Sequence, residues 1–263
     1  MSIYTMGIDV GSTASKCVIM KDGQEIVAKS LVPVGTGTSG PARAIAEVLD
    51  NAKMTREQMD FVLATGYGRN SLDGLADLQM SELSCHAKGA TYLFPDVHTV
   101  VDIGGQDVKV IEIENGMMKN FVMNDKCAAG TGRFFEAMAR SFELSLPEFS
   151  KLSLTAKNVI PITAQCTVFA ESEVITLVGE GKPMDEIAAG IEMAVAKRCF
   201  VMAKKAGATD SITLTGGCAK NDGLKEAIEH VLKLKVVNLK TDPQLMGALG
   251  AAEYARQKGM AKK

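Results

Sequence analysis

The apolar positions of this chain switch between the alternating period of strands and the wider period of helices. An apolar run from Ile3 reaches Asp9, a short turn rich in small residues follows, and a second apolar run from Ser15 is closed by Asp22-Gly23. Asp-Gly between two such runs is a strong hairpin signal. The pattern predicts strands at 3–9, 15–20 and 25–32, a helix from Pro41 to about Asn51, a strand at 60–64 and a helix around Gln79 to Ala90. Ser39 is placed to cap the first helix and Pro41 to open it. Strands follow at 97–103, 107–113 and 117–123, then a helix from Met184 to Ala206, a strand ending at Thr215, a helical pattern from about Gly223 and a small-residue helix from Gln244 to Gln257.

The three opening strands recur. Asp9-Val10-Gly11 through Asp22-Gly23 matches Asp102-Ile103-Gly104 through Asn115-Gly116 without a gap, since 102−9, 104−11, 109−16 and 116−23 all equal 93. An internal duplication of strand, tight loop, strand and hairpin is the direct reading. After 123 the copies diverge through an insertion at 124–175. The expected division is therefore residues 1–96, joined by helix 244–258, and residues 97–243 with the insertion.

Each repeated loop has the composition of a phosphate cradle. Gly11 and the pair Gly104-Gly105 let backbone N–H groups approach an anion, while Ser12, Thr13, Ser15 and Gln106 add donors and Ala14 and Lys16 complete the first loop. Asp9 and Asp102 end the preceding strands, where carboxylates can hold a hydrated Mg²⁺ bridging phosphates. Gln106 or Asp107 is the candidate to position an attacking water. A third loop supports the assignment: the strand at 211–215 ends in Gly216-Gly217, with Asn221 before the next helix. Neither GxxxxGK[ST] nor a GxGxxG after a strand is present.

This order of two phosphate loops and an adenosine loop resembles the acetate and sugar kinase/Hsc70/actin superfamily. The resemblance implies an α/β fold of two duplicated ribonuclease-H-like, actin-like ATPase domains with an ATP cleft between them.

Composition agrees with a soluble two-domain enzyme: 263 residues, 46% hydrophobic, with a formal net charge of −2 that argues against general nucleic-acid binding. No signal peptide and no membrane-length apolar run is visible, so a cytoplasmic protein is expected. Six cysteines in such a chain serve as thiols, metal ligands or redox groups more often than as disulfides. Cys127 and Cys166 in the insertion each precede a probable helix, whose free N–H groups favour a thiolate. By spacing alone, two cysteines 39 apart match no ligand motif and fit two buried thiols better than a ligand pair (166−127 = 39).

The longer motifs narrow this. Asn124-Asp125-Lys126-Cys127-Ala128-Ala129-Gly130-Thr131-Gly132-Arg133 and Cys166-Thr167-Val168-Phe169-Ala170-Glu171-Ser172-Glu173, with Thr65-Gly66-Tyr67-Gly68-Arg69 and Ser81-Glu82-Leu83-Ser84-Cys85-His86-Ala87, resemble the activator component of 2-hydroxyacyl-CoA dehydratases, of the BadF/BadG/BcrA/BcrD type. The resemblance implies a homodimer with one bridging [4Fe–4S] cluster on Cys127 and Cys166 of each chain. It further implies ATP-driven transfer of one electron from reduced ferredoxin or flavodoxin to the dehydratase, in an oxygen-sensitive protein of amino-acid fermentation. Gly216, Gly217 and Asn221 are then expected to face adenosine, Pro243 and Gln244 to touch the base, and Gly132 to approach the nucleotide.

Other residues have plain explanations. Cys85-His86, Cys17, Cys199 and Cys218 read as packing, His98 and His230 have no sequence neighbours to work with, and Lys262-Lys263 reads as a frayed tail. The Gly247-Ala248-x-Gly250-Ala251-Ala252 face suits a hinge or simple close packing. Alternative functions on the same fold are an ATPase subunit of a benzoyl-CoA-type reductase, a small-molecule kinase using Glu82 or Asp125 as base, or an ATP-switched assembly protein.

Overall fold

The computed structural model describes residues 2–72, 74–164, 166–208 and 210–260. Gln165, which precedes the second cysteine motif, and the Lys262-Lys263 tail lie outside the described residues. The chain forms two compact units, Met1–Val97 with Ile113–Lys119 and Leu239–Lys263, and His98–Glu112 with Asn120–Asn238. The first contains β1 (Tyr4–Val10), β2 (Ser15–Lys21), β3 (Glu25–Val32), α1 (Gly40–Ala52), β4 (Phe61–Thr65), β5 (Leu78–Gln79) and α2 (Glu82–Leu93). The second is built on β6 (Thr99–Ile103), β7 (Val108–Glu114) and β8 (Met117–Asn124), whose shared hairpin end Ile113–Lys119 is grouped with the first, then α3 (Gly132–Ser141), α4 (Leu146–Ser153), α5 (Thr167–Gly179), α6 (Met184–Ala206), β9 (Ile212–Thr215), α7 (Asp222–Leu232) and β10 (Val236–Val237). The final helix, α8 (Met246–Met260), belongs to the first unit.

The two sheets repeat one topology. Their orders are β3-β2-β1-β4-β5 and, read in the matching direction, β8-β7-β6-β9-β10. β1 pairs antiparallel with β2 and parallel with β4, as β6 does with β7 and β9. The registers agree residue by residue: Asp9 lies opposite Lys16 and Thr65, and Asp102 opposite Lys109 and Thr215. The hairpin turns match as well, with φ of 54° and 68° at Asp22-Gly23 and 53° and 73° at Asn115-Gly116. Two consecutive left-handed residues make the type I′ turn whose twist suits adjoining strands.

The insertion adds helices to the second unit's core. Phe134 and Phe135 of α3, Phe142 just beyond it and Phe149 of α4 are all buried, with edge-to-face ring pairs at 5.8, 6.3 and 5.5 Å. In the first unit α8 is small-residued because it lies against both α2 and β1. A Cβ on Gly250 would stand 1.8 Å from the Cys85 carbonyl oxygen, and one on Gly7 2.0 Å from the Ala248 oxygen. Among the described residues no helix is long and apolar enough to cross a membrane.

Several expected boundaries move. Ser39 occupies the cap position of α1 without a side-chain bond, and Thr38 Oγ1 accepts the Gly40 N–H at 3.0 Å instead. The helix expected from Gln79 begins at Glu82, because Leu78-Gln79 pairs with β4 as a two-residue strand too short to leave a period. β10 escaped notice for the same reason. The helix expected from Gln244 starts with a short 3₁₀ turn, Pro243–Leu245, before α8.

Candidate active site

The first repeated loop is closed by its own backbone. Gly11 N–H donates to Ala14 O at 2.9 Å, and in the second loop Gly104 N–H donates to Asp107 O at 3.0 Å, again 93 residues on (104−11 and 107−14). These two glycine N–H groups therefore shape the turns, which leaves the anion contacts expected of each loop to its other groups. Ser15 is also committed: it is buried, and its hydroxyl donates to Val34 O at 2.9 Å. Ser12 and Thr13 remain half-buried at the loop surface, between Asp9 and the buried Ala14. Gly105 is half-buried and Gln106 exposed at the tip of the second loop.

The aspartates at the strand ends are buried and ion-paired. Asp9 Oδ2 lies 2.9 Å from Lys16 Nζ. Lys109 Nζ lies 3.3 Å from Asp102 Oδ2 and 2.8 Å from Asp107 Oδ2, so one buried lysine fastens two carboxylates. Thr215 Oγ1 donates to Asp102 Oδ1 at 2.8 Å. Glycine makes room in both units: a Cβ on Gly66 would come 2.4 Å from Asp9 Oδ1, and one on Gly216 2.9 Å from Asp102 Oδ1. Gly66 and Gly216 follow the corresponding strands β4 and β9 and share positive φ, 90° and 82°. On its other side Asp9 meets α8 and α2, since a Cβ on Gly247 would lie 2.7 Å from Asp9 Oδ2 and 3.0 Å from His86 Nε2.

Lys109, Thr215, Gly66, His86 and Gly247 were not singled out from sequence as site residues. Lys109 had a signal, since it repeats Lys16. Gly66 also repeats, but at an offset of 150 (216−66) because the insertion breaks the 93-residue register.

The second unit gathers three of the expected segments. Gly132 N–H donates to Gly104 O at 2.8 Å and Arg133 N–H to Gly105 O at 3.0 Å, seating the start of α3 on the second repeated loop. A Cβ on Gly132 would stand 3.2 Å from Gly105 Cα and 3.7 Å from Cys218 Sγ, so Gly132 also borders the turn that follows β9. Gly217 opens a 3₁₀ turn to Lys220, and Asn221 caps α7, its Oδ1 accepting the Leu224 N–H at 2.9 Å. Pro243 and Gln244 lie in the first unit, where Asp242 Oδ1 accepts the Gln244 N–H at 2.9 Å.

The six cysteines divide sharply. Cys17, Cys85, Cys199 and Cys218 are buried, and burial pushes each thiol up to about 12, while Cys127 and Cys166 are exposed. Cys166 is the cap residue of α5, as its motif suggested. Cys127 differs: α3 starts only at Gly132, and the intervening turn is closed by Thr131 Oγ1 donating to Ala128 O at 2.7 Å. The approach to Cys166 is pinned by Glu173, whose carboxylate accepts from Thr163 N, Thr163 Oγ1 and Ala164 N at 2.8–3.1 Å. Burial pushes the Glu173 carboxyl up, yet these bonds together hold it below the ordinary range. Among the described residues no three His, Cys, Asp or Glu side chains converge on one metal position within the chain. His98 finds a partner that sequence did not suggest, Asp210 Oδ1 at 3.0 Å.

Two copies of one strand order, each ending its central strand in an aspartate before a tight loop and a paired lysine, define a duplicated actin-like ATPase fold. Residues 6–255 match the BadF/BadG/BcrA/BcrD ATPase family, and the chain belongs to that family. It is 59% identical to the (R)-2-hydroxyglutaryl-CoA dehydratase activating ATPase of Acidaminococcus fermentans, over 98% of this chain and 99% of that protein. It is 48% identical to the activator of lactoyl-CoA dehydratase of Anaerotignum propionicum, over 96% of this chain and 97% of that one. The solved structure of the activator of the 2-hydroxyisocaproyl-CoA dehydratase from Clostridium difficile with bound ADPNP, 44% identical, superposes with a TM-score of 0.94 and covers 99% of this chain and 97% of that chain.

Proposed function

We propose that this chain is an ATP-dependent one-electron donor that activates a 2-hydroxyacyl-CoA dehydratase. It acts as a homodimer in which Cys127 and Cys166 of each protomer hold one [4Fe–4S] cluster, and it takes its electron from reduced ferredoxin or flavodoxin. The partition of the cysteines carries the reading: four are buried thiols and two are exposed in the insertion. Two chains meeting on a twofold axis supply the four thiolates such a cluster needs. When bound, the cluster supplies a low-potential electron.

The chain's own residues do the rest. Cys166 caps the N-terminus of α5, and Glu173 of that helix holds the backbone of Thr163 and Ala164. Val168, Phe169 and Ile175 of α5 are 65%, 69% and 58% exposed, an apolar surface suited to a second protomer. Ser12, Thr13 and Lys16 of the first loop and Gly105 and Gln106 of the second hold the phosphates, within turns shaped by Ser15, Gly104 and Asp107, with Asp9 and Asp102 on a hydrated Mg²⁺. Gln106 is the better placed to orient the attacking water, because Asp107 is tied to Lys109. Gly216, Gly217 and Asn221 face adenosine, with Pro243 and Gln244 at the base and Gly132 beside the nucleotide. ATP alters the dimer only so far as it contacts two conformations differently.

The test is anaerobic purification with iron and acid-labile sulfide measured per dimer, beside ATP-dependent activation of a dehydratase. About four of each, lost on Cys127→Ser or Cys166→Ser, is expected. Iron absent from protein never exposed to air would favour a kinase or ATP switch on the same fold.

A further inference from the structure

The duplication reaches a pair of turns of which the proposed chemistry uses one. Gly66 after β4 and Gly216 after β9 share positive φ. A Cβ on Gly66 would stand 2.4 Å from Asp9 Oδ1 and 2.5 Å from Val10 O, and one on Gly216 2.9 Å from Asp102 Oδ1 and 2.4 Å from Ile103 O. The hydrogen bonds that follow match as well. Arg69 N–H donates to Gly66 O at 3.3 Å and Ala219 N–H to Gly216 O at 3.4 Å; Ser71 N–H then donates to Gly68 O at 2.9 Å and Asn221 N–H to Cys218 O at 3.0 Å. Both pairs keep the offset of 150 (219−69 and 221−71). The turn of the second unit is the one assigned to adenosine. Its counterpart, Gly66-Tyr67-Gly68-Arg69, repeats these bonds and has no role in that reading.

What differs is charge. Where the second unit has Ala219, the first has Arg69. Arg69 is half-buried, its Nη1 donates to Gly66 O at 3.0 Å, and among the described residues no carboxylate pairs with it. A guanidinium keeps its charge at any working pH, and an uncharged backbone oxygen does not balance it. The lysines of the repeated loops are balanced already: Lys16 lies 2.9 Å from Asp9 Oδ2, and Lys109 is held by Asp102 and Asp107. The turn is also fastened to the first loop. Gly68 N–H donates to Val10 O at 2.8 Å, Thr36 N–H donates to Gly11 O at 2.9 Å, and a Cβ on Gly68 would stand 2.3 Å from Thr36 Oγ1. The backbone that carries Arg69 is therefore packed on the segment that closes the loop, with an unbalanced cation beside it.

We propose that Arg69 is a catalytic residue of ATP hydrolysis: its guanidinium binds the terminal phosphate held by the first loop and stabilises the charge there as the phosphoryl group passes to water. A nucleotide has a neutral end and an anionic end, and the two matched turns carry a small neutral residue and a cation. In the step, a water oxygen bonds to the terminal phosphorus while the bond to the bridging oxygen breaks. ADP leaves with the electron pair, and the water's proton passes by way of a phosphate oxygen to solvent. Arg69 gives up no proton; its planar N–H groups meet two phosphate oxygens at once. The proposal rests on the first loop holding phosphates and on the Gly216 turn facing adenosine.

The experiment measures ATP hydrolysis by the full-length protein, kept anaerobic, beside calorimetric titration with ADP and with a non-hydrolysable ATP analogue. Arg69→Gln should slow hydrolysis by about 10³-fold and weaken the analogue several-fold, with ADP affinity, thermal midpoint and iron content at wild-type values. An arginine that only braces its turn would lower the midpoint and weaken both nucleotides alike. That result, or hydrolysis at the wild-type rate, overturns the proposal. Should Arg69→Gln not fold, Arg69→Lys serves, since lysine keeps the charge and loses the planar pair of donors. Slower hydrolysis with unchanged ADP binding is then expected, and a wild-type rate overturns the idea. Ser12→Glu, which sets a carboxylate in the first loop, separates the two readings. If it binds the analogue as tightly as wild type, the phosphate assignment of that loop fails and this proposal with it; if it binds weakly while Arg69→Gln hydrolyses ATP at the wild-type rate, only the proposal fails.

Discussion

Lys109 joins Asp102 to Asp107 with all three charges largely out of water, so the geometry of the second loop hangs on one ammonium group. Removing it strands two carboxylates. Breaking a buried pair from one side costs about 3–5 kcal/mol, and Lys109→Met should lower the thermal midpoint and slow ATP hydrolysis together. Asp102→Ala differs, because the lysine keeps Asp107: hydrolysis should be lost while anaerobically measured iron stays at the wild-type level. Undiminished turnover in that variant would remove Asp102 from the Mg²⁺ site. Glu192 gives stability a pH slope of defined sign. Its folded-state value rises from 4.5 to about 7, so the folded protein binds the extra proton between those limits. Its stabilisation is fully present below about pH 4.5 and lost as pH rises to about 7, on the order of 3 kcal/mol for a group this buried. Urea unfolding of Glu192→Gln from pH 5 to pH 8 should lack that slope.

At the scale of elements, the hairpins were legible because two residues announce them: Asp22-Gly23 and Asn115-Gly116 supply the consecutive positive φ that the turn requires. The 93-residue repeat extends to hydrogen bonds, Gly11 to Ala14 and Gly104 to Asp107. What stayed hidden was set by long-range contact. Nothing local says that Ser15 donates to Val34, that Thr38 in place of Ser39 caps α1, or that two-residue strands close each sheet. The glycines of α8 show the same limit. They signalled close approach, but only the structure shows Gly250 against the Cys85 carbonyl and Gly247 between Asp9 and His86. Gly250→Ala would place a methyl carbon 1.8 Å from a backbone oxygen that cannot rotate away. Overpacking of this kind costs about 1–3 kcal/mol, and the variant's denaturation midpoint should drop accordingly. An unchanged midpoint would mean that α2 and α8 are not locked together at this point.

For the whole molecule, the cysteines offer a reading of assembly that needs no activity assay. Thiol reagents attack thiolates that they can reach. Cys17, Cys85, Cys199 and Cys218 fail on both counts, being buried and pushed up to about 12. Cys127 and Cys166 are exposed in the isolated chain. Iron-free protein should therefore titrate two fast thiols per chain, and the six of the sequence only in denaturant. In the iron-loaded dimer both fast thiols should disappear, since a sulfur bonded to iron at a protein interface is neither free nor reachable. Treatment with an iron chelator should bring them back in step with the loss of iron and with the fall in mass from dimer to monomer. Because reactivity, iron and mass are separate readings, their coincidence would tie cluster and dimer to the same two residues. Two thiols that stayed reactive in iron-loaded protein would instead show that the metal is held elsewhere.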